Sequence, residues 1–251
     1  MHGSIILESR CQFKVMSDVT AIDQRSAACV VDLLSGPTAP GSIDDFELEH
    51  ARRVLAQLKA AIGRDGLLEL LSADIKSGVD FLRDMAEQSK GELRPATTML
   101  AVKGLKATPF LHWLDGQFDK EAVMLAAEPD HFVIAPHPNA RVTIVETLGE
   151  YVCQIHLPPY DGAATWDAAV VAELLPESEY QFRRIARITL SDGTLVGRML
   201  TQFGDTPEGF NASLTAYFPA ACPEEVFEHH RQHLAVEFRN WIIAAASAVR
   251  D

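Results

Sequence analysis

The chain has 251 residues, 47% of them hydrophobic, and a formal net charge of -13. That length allows one large domain or two small ones, and the acidic balance, with no lysine and arginine run to offset it, argues against nucleic acid and anionic lipid surfaces as partners. The four cysteines (Cys11, Cys29, Cys153, Cys222) make neither a CxxC pattern nor a disulfide-dense scaffold, and no apolar run reaches the roughly 20 residues needed to span a bilayer, so a reducing, cytoplasmic setting without a membrane partner is expected.

Residues 1–15 lack the length and flanks of a signal peptide and read as a leader or a misassigned start, because MSDVTAIDQ from Met16 has the character of an ordinary beginning. From about Asp18 to Gln88 apolar residues recur at helical spacing, in AACVVDLL, LEHARRVLAQLKAAI, DGLLELLSADI and GVDFLRDMAEQ. Ser42, followed by acids in the first turn, marks a helix start, while Gly63 and the stretch from Pro37 to Pro40 punctuate helix ends. Residues 1–92 are therefore expected to form a helical segment used for packing or dimerisation, since they hold no titratable cluster that suggests chemistry.

After the break at Gly91 to Pro95 the pattern turns to strand alternation. RVTIVE and YVCQIHL, joined through Leu148-Gly149, predict one hairpin; IARITL and LVGRMLTQF, around Ser191-Asp192-Gly193, predict a second. A turn over 204–209 leads into FNASLTAYF, with Phe210, Ala212, Leu214, Ala216 and Phe218 on one face. Residues 223–249 close the chain as an amphipathic helix. The expected fold class is α+β: a helical N-terminal part, then over residues 93–251 an antiparallel sheet gripping a long C-terminal helix.

Wound at about 100° per residue, that last helix gathers Val226, Phe227, Leu234, Phe238, Trp241, Ala244, Ala245 and Ala248 on one side. Glu237 and His230 fall inside the stripe, and His233 lies at its edge one turn before Glu237, so a His-x-x-x-Glu pair can aim both heads at one point. Glu146 ends RVTIVE on the same side as Val142 and Ile144, which places a second carboxylate toward the core. Two inward acids cannot satisfy each other while both are ionised, and a cation between them resolves the conflict. His233 and His112, in PFLHWLDG, are available to complete such a shell. The alternative is a solvated His-Glu pair of the kind common on helix surfaces. Glu150 is expected to face solvent, His229 and His230 to be exposed or partly buried and hydrogen-bonded, His131, His137 and His156 to be loop or strand residues without ligation, and Trp113, Trp166 and Trp241 to anchor the core. No nucleophile elbow, GxGxxG or GxxxxGK[ST] is present.

In order along the chain, FLHWLDG, EPDHF, VETLG, TQFGDTPEGFNASLTAYF and HLAVEFRNW resemble the zinc-dependent 2,4-diacetylphloroglucinol hydrolase family over about residues 108–245. The resemblance implies a START-like helix-grip domain with a deep cavity, a helical part used in dimer contacts, and a metal held by His112, Glu146, His233 and Glu237. A His2Glu2 shell suits Zn2+ or another divalent transition metal. It implies hydrolysis of a carbon-carbon bond next to a ketone in an acylated phenol or diketone-like small molecule, with Asp115, His131 and His230 as candidates for proton transfer or for orienting the ligands. Thr201 and Asp115 stand where the family leads one to look for a histidine and an amide. Two other classes stay open: a non-catalytic helix-grip carrier of an apolar molecule, and a structural protein that assembles through its helical half.

Overall fold

Ser42 and Asp45 cap a helix start reciprocally: the Asp45 amide donates to the Ser42 hydroxyl at 3.1 Å, and the Ser42 amide donates to the Asp45 carboxylate at 2.8 Å. The computed structural model of the protein describes residues 33–138, 140–158 and 172–249. The expected leader, Cys11, Cys29, most of AACVVDLL, and Trp166 lie outside them. His50–Asp251 form one unit and Met1–Glu49 another.

The elements run α1 (Ile43–Leu70), α2 (Ser72–Ser89), β1 (Leu93–Lys103), α3 (Ala107–Asp115), α4 (Glu121–Ala127), β2 (His131–His137), β3 (Ala140–Leu148), β4 (Tyr151–Leu157), β5 (Phe182–Thr189), β6 (Leu195–Asp205), β7 (Gly209–Pro219) and α5 (Glu224–Ala248). Gly63 interrupts α1 with φ 73°, a conformation that costs a side-chain-bearing residue far more than glycine. The seven strands form one antiparallel sheet in the order β1-β7-β6-β5-β4-β3-β2, so the first strand pairs with the last in sequence and every other neighbour is consecutive. The fold is thus α+β, with helices, a seven-stranded antiparallel sheet and a C-terminal helix packed on it through β1, β3 and β7. Among the described residues no helix is long and apolar enough to cross a membrane.

Period-two alternation sets the inner face. Phe210, Ala212, Leu214, Ala216 and Phe218 of β7 are all buried, as expected, and meet Val226, Phe227, Leu234, Phe238 and Trp241 from α5. Phe110, Phe203, Phe210 and Phe238 interlock with ring centroids 5.6 to 6.4 Å apart, which ties α3, β6, β7 and α5 into one core. Near the end of α5 Ala245 is buried as expected, but Ala244 and Ala248 are exposed and Ile242 is buried in addition. α3 is seated by Asp205, whose carboxylate accepts from the Ala107 amide at 2.8 Å and so satisfies one donor of the helix start.

Candidate metal centre

The C-terminal helix and the β2–β3 hairpin meet at four side chains. In the hairpin register His131 stands opposite Glu146. α5 supplies His233 and, one turn on, Glu237. All four are buried: His131 is 1% exposed, Glu146 3%, His233 6% and Glu237 5%. His131 Nε2 lies 3.1 Å from His233 Nε2, 3.2 Å from Glu146 Oε2 and 3.5 Å from Glu237 Oε1, and His233 Nε2 lies 3.6 Å from Glu146 Oε2.

Burial sets the charge states. It pushes the His131 imidazole down to about 3, helped by the Lys59 ammonium, and the His233 imidazole down to about 4, so both rings are neutral at pH 7. Desolvation also holds both the Glu146 and Glu237 carboxyls above the usual range, and in Glu237 the Glu146 charge adds to it. Two neutral rings with facing nitrogens and two carboxyls reluctant to ionise together form a donor set in need of a cation. The spacing fits one: donors bound tetrahedrally at about 2.0–2.1 Å stand about 3.3–3.4 Å from one another. Ligand atoms of His131, His233 and Glu237 all lie within 4.8 Å of one another, and these residues can hold a metal ion, with Glu146 beside them.

The loop between α4 and β2 leads into His131, the first residue of β2, and this segment is held from two sides. Lys59 of α1 donates to the carbonyls of Pro129 at 2.7 Å and His131 at 2.5 Å, and Asn240 of α5 donates to the Ala127 carbonyl at 2.6 Å. Glu128 in this loop is buried, and desolvation raises its carboxyl to about 7.

Of the expected site residues, Glu146, His233 and Glu237 come together, but His112 is corrected. It is exposed on α3, because Ala107, Phe110, Leu111 and Leu114 form the buried stripe of that helix and His112 sits on the other face. His131, expected to be an unligated loop or strand residue or a proton-transfer group, stands in its place. Asp115 is exposed and pairs bidentately with Arg184, at 2.8 and 2.7 Å. His230 is buried, stacked on His233 with centroids 4.9 Å apart and edge-on to Phe218 at 4.8 Å. Glu150 and His229 are exposed, as expected. The overlooked signal for His131 is the run HFVIA before RVTIVE: read as a hairpin, it sets His131 across from Glu146.

Beside the centre lies a cavity of about 140 Å³, walled mainly by aliphatic and aromatic side chains such as Ile144, Met199, Phe203 and Trp241. Glu237, Arg184 and Thr201 are the polar side chains on its wall. Asp115, His131 and His230 do not line it, so none of them faces a molecule bound there.

No protein-family model matches the chain, and no curated protein matches it either. The likeness to the diacetylphloroglucinol hydrolase family therefore rests on the short motifs quoted above.

Protons compete with the metal for Glu146 and Glu237, whose carboxyls are raised in the metal-free protein, so metal affinity is expected to rise with pH. Each proton displaced per ion weakens zinc binding by at most about tenfold per unit fall in pH, so binding at pH 6 is expected to be weaker than at pH 8. Competition titrations against a chelating dye across this range measure the slope, and a flat profile contradicts displacement of a carboxyl proton.

Proposed function

We propose that the protein is a metal-dependent hydrolase, with zinc the expected ion held by His131, Glu146, His233 and Glu237, and that it cleaves a carbon-carbon bond next to a ketone in an acylated phenol or diketone-like small molecule. The observation that carries the proposal is the convergence of four buried donors at 3.1 to 3.6 Å next to an apolar cavity that Glu237 also lines. The strand order and the packing of α5 on the sheet support a helix-grip arrangement of the START-like kind, and the order of the motifs supports the substrate class.

When bound, the metal supplies a Lewis acid that polarises a ketone oxygen and lowers the pKa of water. The chain's own residues do the rest. The aliphatic and aromatic wall takes up an aromatic ring or acyl chain and excludes bulk water. Arg184 and Thr201 offer donors to substrate oxygens, and Asp115 holds the Arg184 guanidinium in one orientation through its two parallel hydrogen bonds. Glu237 belongs both to the donor set and to the cavity wall, so a molecule in the cavity touches the metal side through it. Along α1, Val54, Leu58 and Ile62 are exposed four residues apart on one helical face, which supports a homodimer.

Two variants test the proposal. Glu237→Gln is expected to lose metal and turnover of acylphenols together, whereas stoichiometric metal in that variant contradicts the ligand assignment. Ala186→Trp, which fills the cavity from β5, is expected to keep its metal and lose turnover; unchanged turnover places the reaction elsewhere. The apolar wall equally suits a carrier. High-affinity ligand binding that survives exhaustive chelation, with no turnover of any acylphenol or diketone, favours that second reading.

A further inference from the structure

Near the centre, and not on the cavity wall, stands a buried carboxylate that the donor set does not use. Glu128, at the C-terminal end of α4, is 4% exposed, and its Oε2 is buried without a hydrogen-bond partner. The His233 ring has the same deficit, since its Nδ1 is also buried and unpartnered. Glu128 and Asp130 each place a carboxylate oxygen within 4.8 Å of a ring nitrogen of His233. His233 Nε2 is turned toward His131 and Glu146, at 3.1 and 3.6 Å, whereas Nδ1 has no hydrogen-bond partner in the structure, Glu128 included. Asp130 is exposed, whereas Glu128 is buried: its Oε1 accepts from the Asp130 amide at 3.3 Å, and its Oε2, with the Arg52 guanidinium as a charge neighbour, has no hydrogen-bond partner.

We propose that Glu128 is a positioning residue: its carboxylate accepts a hydrogen bond from His233 Nδ1–H, fixing the tautomer that leaves the Nε2 lone pair facing the donor cluster. The inference rests on the metal-centre reading for its consequence but not for its geometry. An imidazole ligates through one nitrogen, and a carboxylate on the other nitrogen fixes the proton there, orients the ring and makes the ligating nitrogen more basic. Glu128 does not line the cavity, so it acts through His233 and not on a substrate. Glu128 lies three residues before His131, the first residue of β2, so one short segment both supplies a donor and orients another. Lys59, bound to the carbonyls of Pro129 and His131, keeps that segment in place.

The test uses the full-length metal-free protein with ¹⁵N-labelled histidine and long-range ¹H–¹⁵N NMR, which reports which ring nitrogen carries the proton. In the wild type His233 is expected as the Nδ1–H tautomer. Glu128→Gln, whose amide oxygen still accepts, keeps that tautomer. Glu128→Leu, which matches the volume and removes the acceptor, loses its predominance. Zinc affinity, measured by chelator competition, falls about 10- to 100-fold in Glu128→Leu and substantially less in Glu128→Gln. The thermal midpoint of each metal-free variant serves as the folding control. An Nε2–H tautomer in the wild type, or Gln and Leu variants alike in tautomer and affinity, overturns the assignment of Glu128. A wild type with the Nδ1–H tautomer that binds no zinc leaves Glu128 in its role toward His233 and removes the metal reading instead, so the two failures are distinguishable.

Discussion

Replacing His131 by alanine is expected to weaken zinc binding roughly a hundredfold or more and abolish turnover, whereas His112→Ala keeps both near wild type. The size follows from sharing a binding free energy of about 10–16 kcal/mol among four ligands, about 3 kcal/mol each, which is two orders of magnitude in affinity. The contrast follows from the fold. His131 sits 1% exposed and within 3.1 to 3.5 Å of three other donors, and His112 is exposed on α3. Removing the imidazole of His131 also leaves Glu146 and Glu237 facing each other across a gap, which worsens the burial of both acids. Isothermal titration of zinc into the two variants measures the difference directly, and equal affinities contradict the donor set.

The second large effect concerns the frame that carries the centre. Gly78→Ala in α2 is expected to destabilise the protein by about 3 kcal/mol, a fall of roughly 6–12 °C in thermal midpoint. A Cβ at Gly78 meets the carbonyl oxygen of Val152 at 2.2 Å and the Cys153 sulfur at 3.0 Å. The first of these is backbone at the second residue of β4 and cannot swing aside as a side chain would, so α2 must lift from the sheet. β4 pairs with β3 so that Cys153 stands opposite Glu146, and a displaced β4 disturbs the strand that carries that carboxylate. Reduced zinc affinity is therefore expected to accompany the lower midpoint in thermal scans and titrations of this variant. A midpoint within a degree of wild type means that α2 does not pack as closely as described.

Much of this frame was legible in the sequence because one face of each element is buried. Alternation in RVTIVE and FNASLTAYF identified the inward side of β3 and β7, and with it the inward carboxylate of Glu146. The same reasoning on the last helix found Glu237 and His233, since a charged residue within an apolar stripe is conspicuous. β2 was harder to see. HFVIAPH is short, holds a proline and two histidines, and leads into another proline, so its composition resembles a loop more than a strand. Its pairing with β3, which turns His131 from a loop residue into the partner of Glu146, is a tertiary fact. The pairing of β1 with β7, which closes the sheet order across more than a hundred residues of chain, is likewise non-local and leaves no local trace.

His112 illustrates the opposite error. PFLHWLDG supplies a histidine in an apolar setting, which invites a ligand role, yet the helical period decides its direction. Phe110, Leu111 and Leu114 take the core side of α3, and a residue between them in sequence is turned away from it in space. Glu128 was invisible for a related reason: its proximity to His233 depends on how the α4–β2 loop passes α5, which no spacing along the chain encodes.

The most direct test of a metal centre at His131, Glu146, His233 and Glu237 is the metal content and coordination of the wild-type protein purified without a metal-affinity tag. Elemental analysis is expected to find about one zinc or other divalent transition-metal ion per chain. X-ray absorption is expected to show nitrogen and oxygen donors at about 2.0–2.1 Å, with the multiple scattering of two imidazoles and no sulfur. A protein that is metal-free as isolated and stays so when zinc is added contradicts the account and makes the four buried side chains a purely protein-internal hydrogen-bonding cluster.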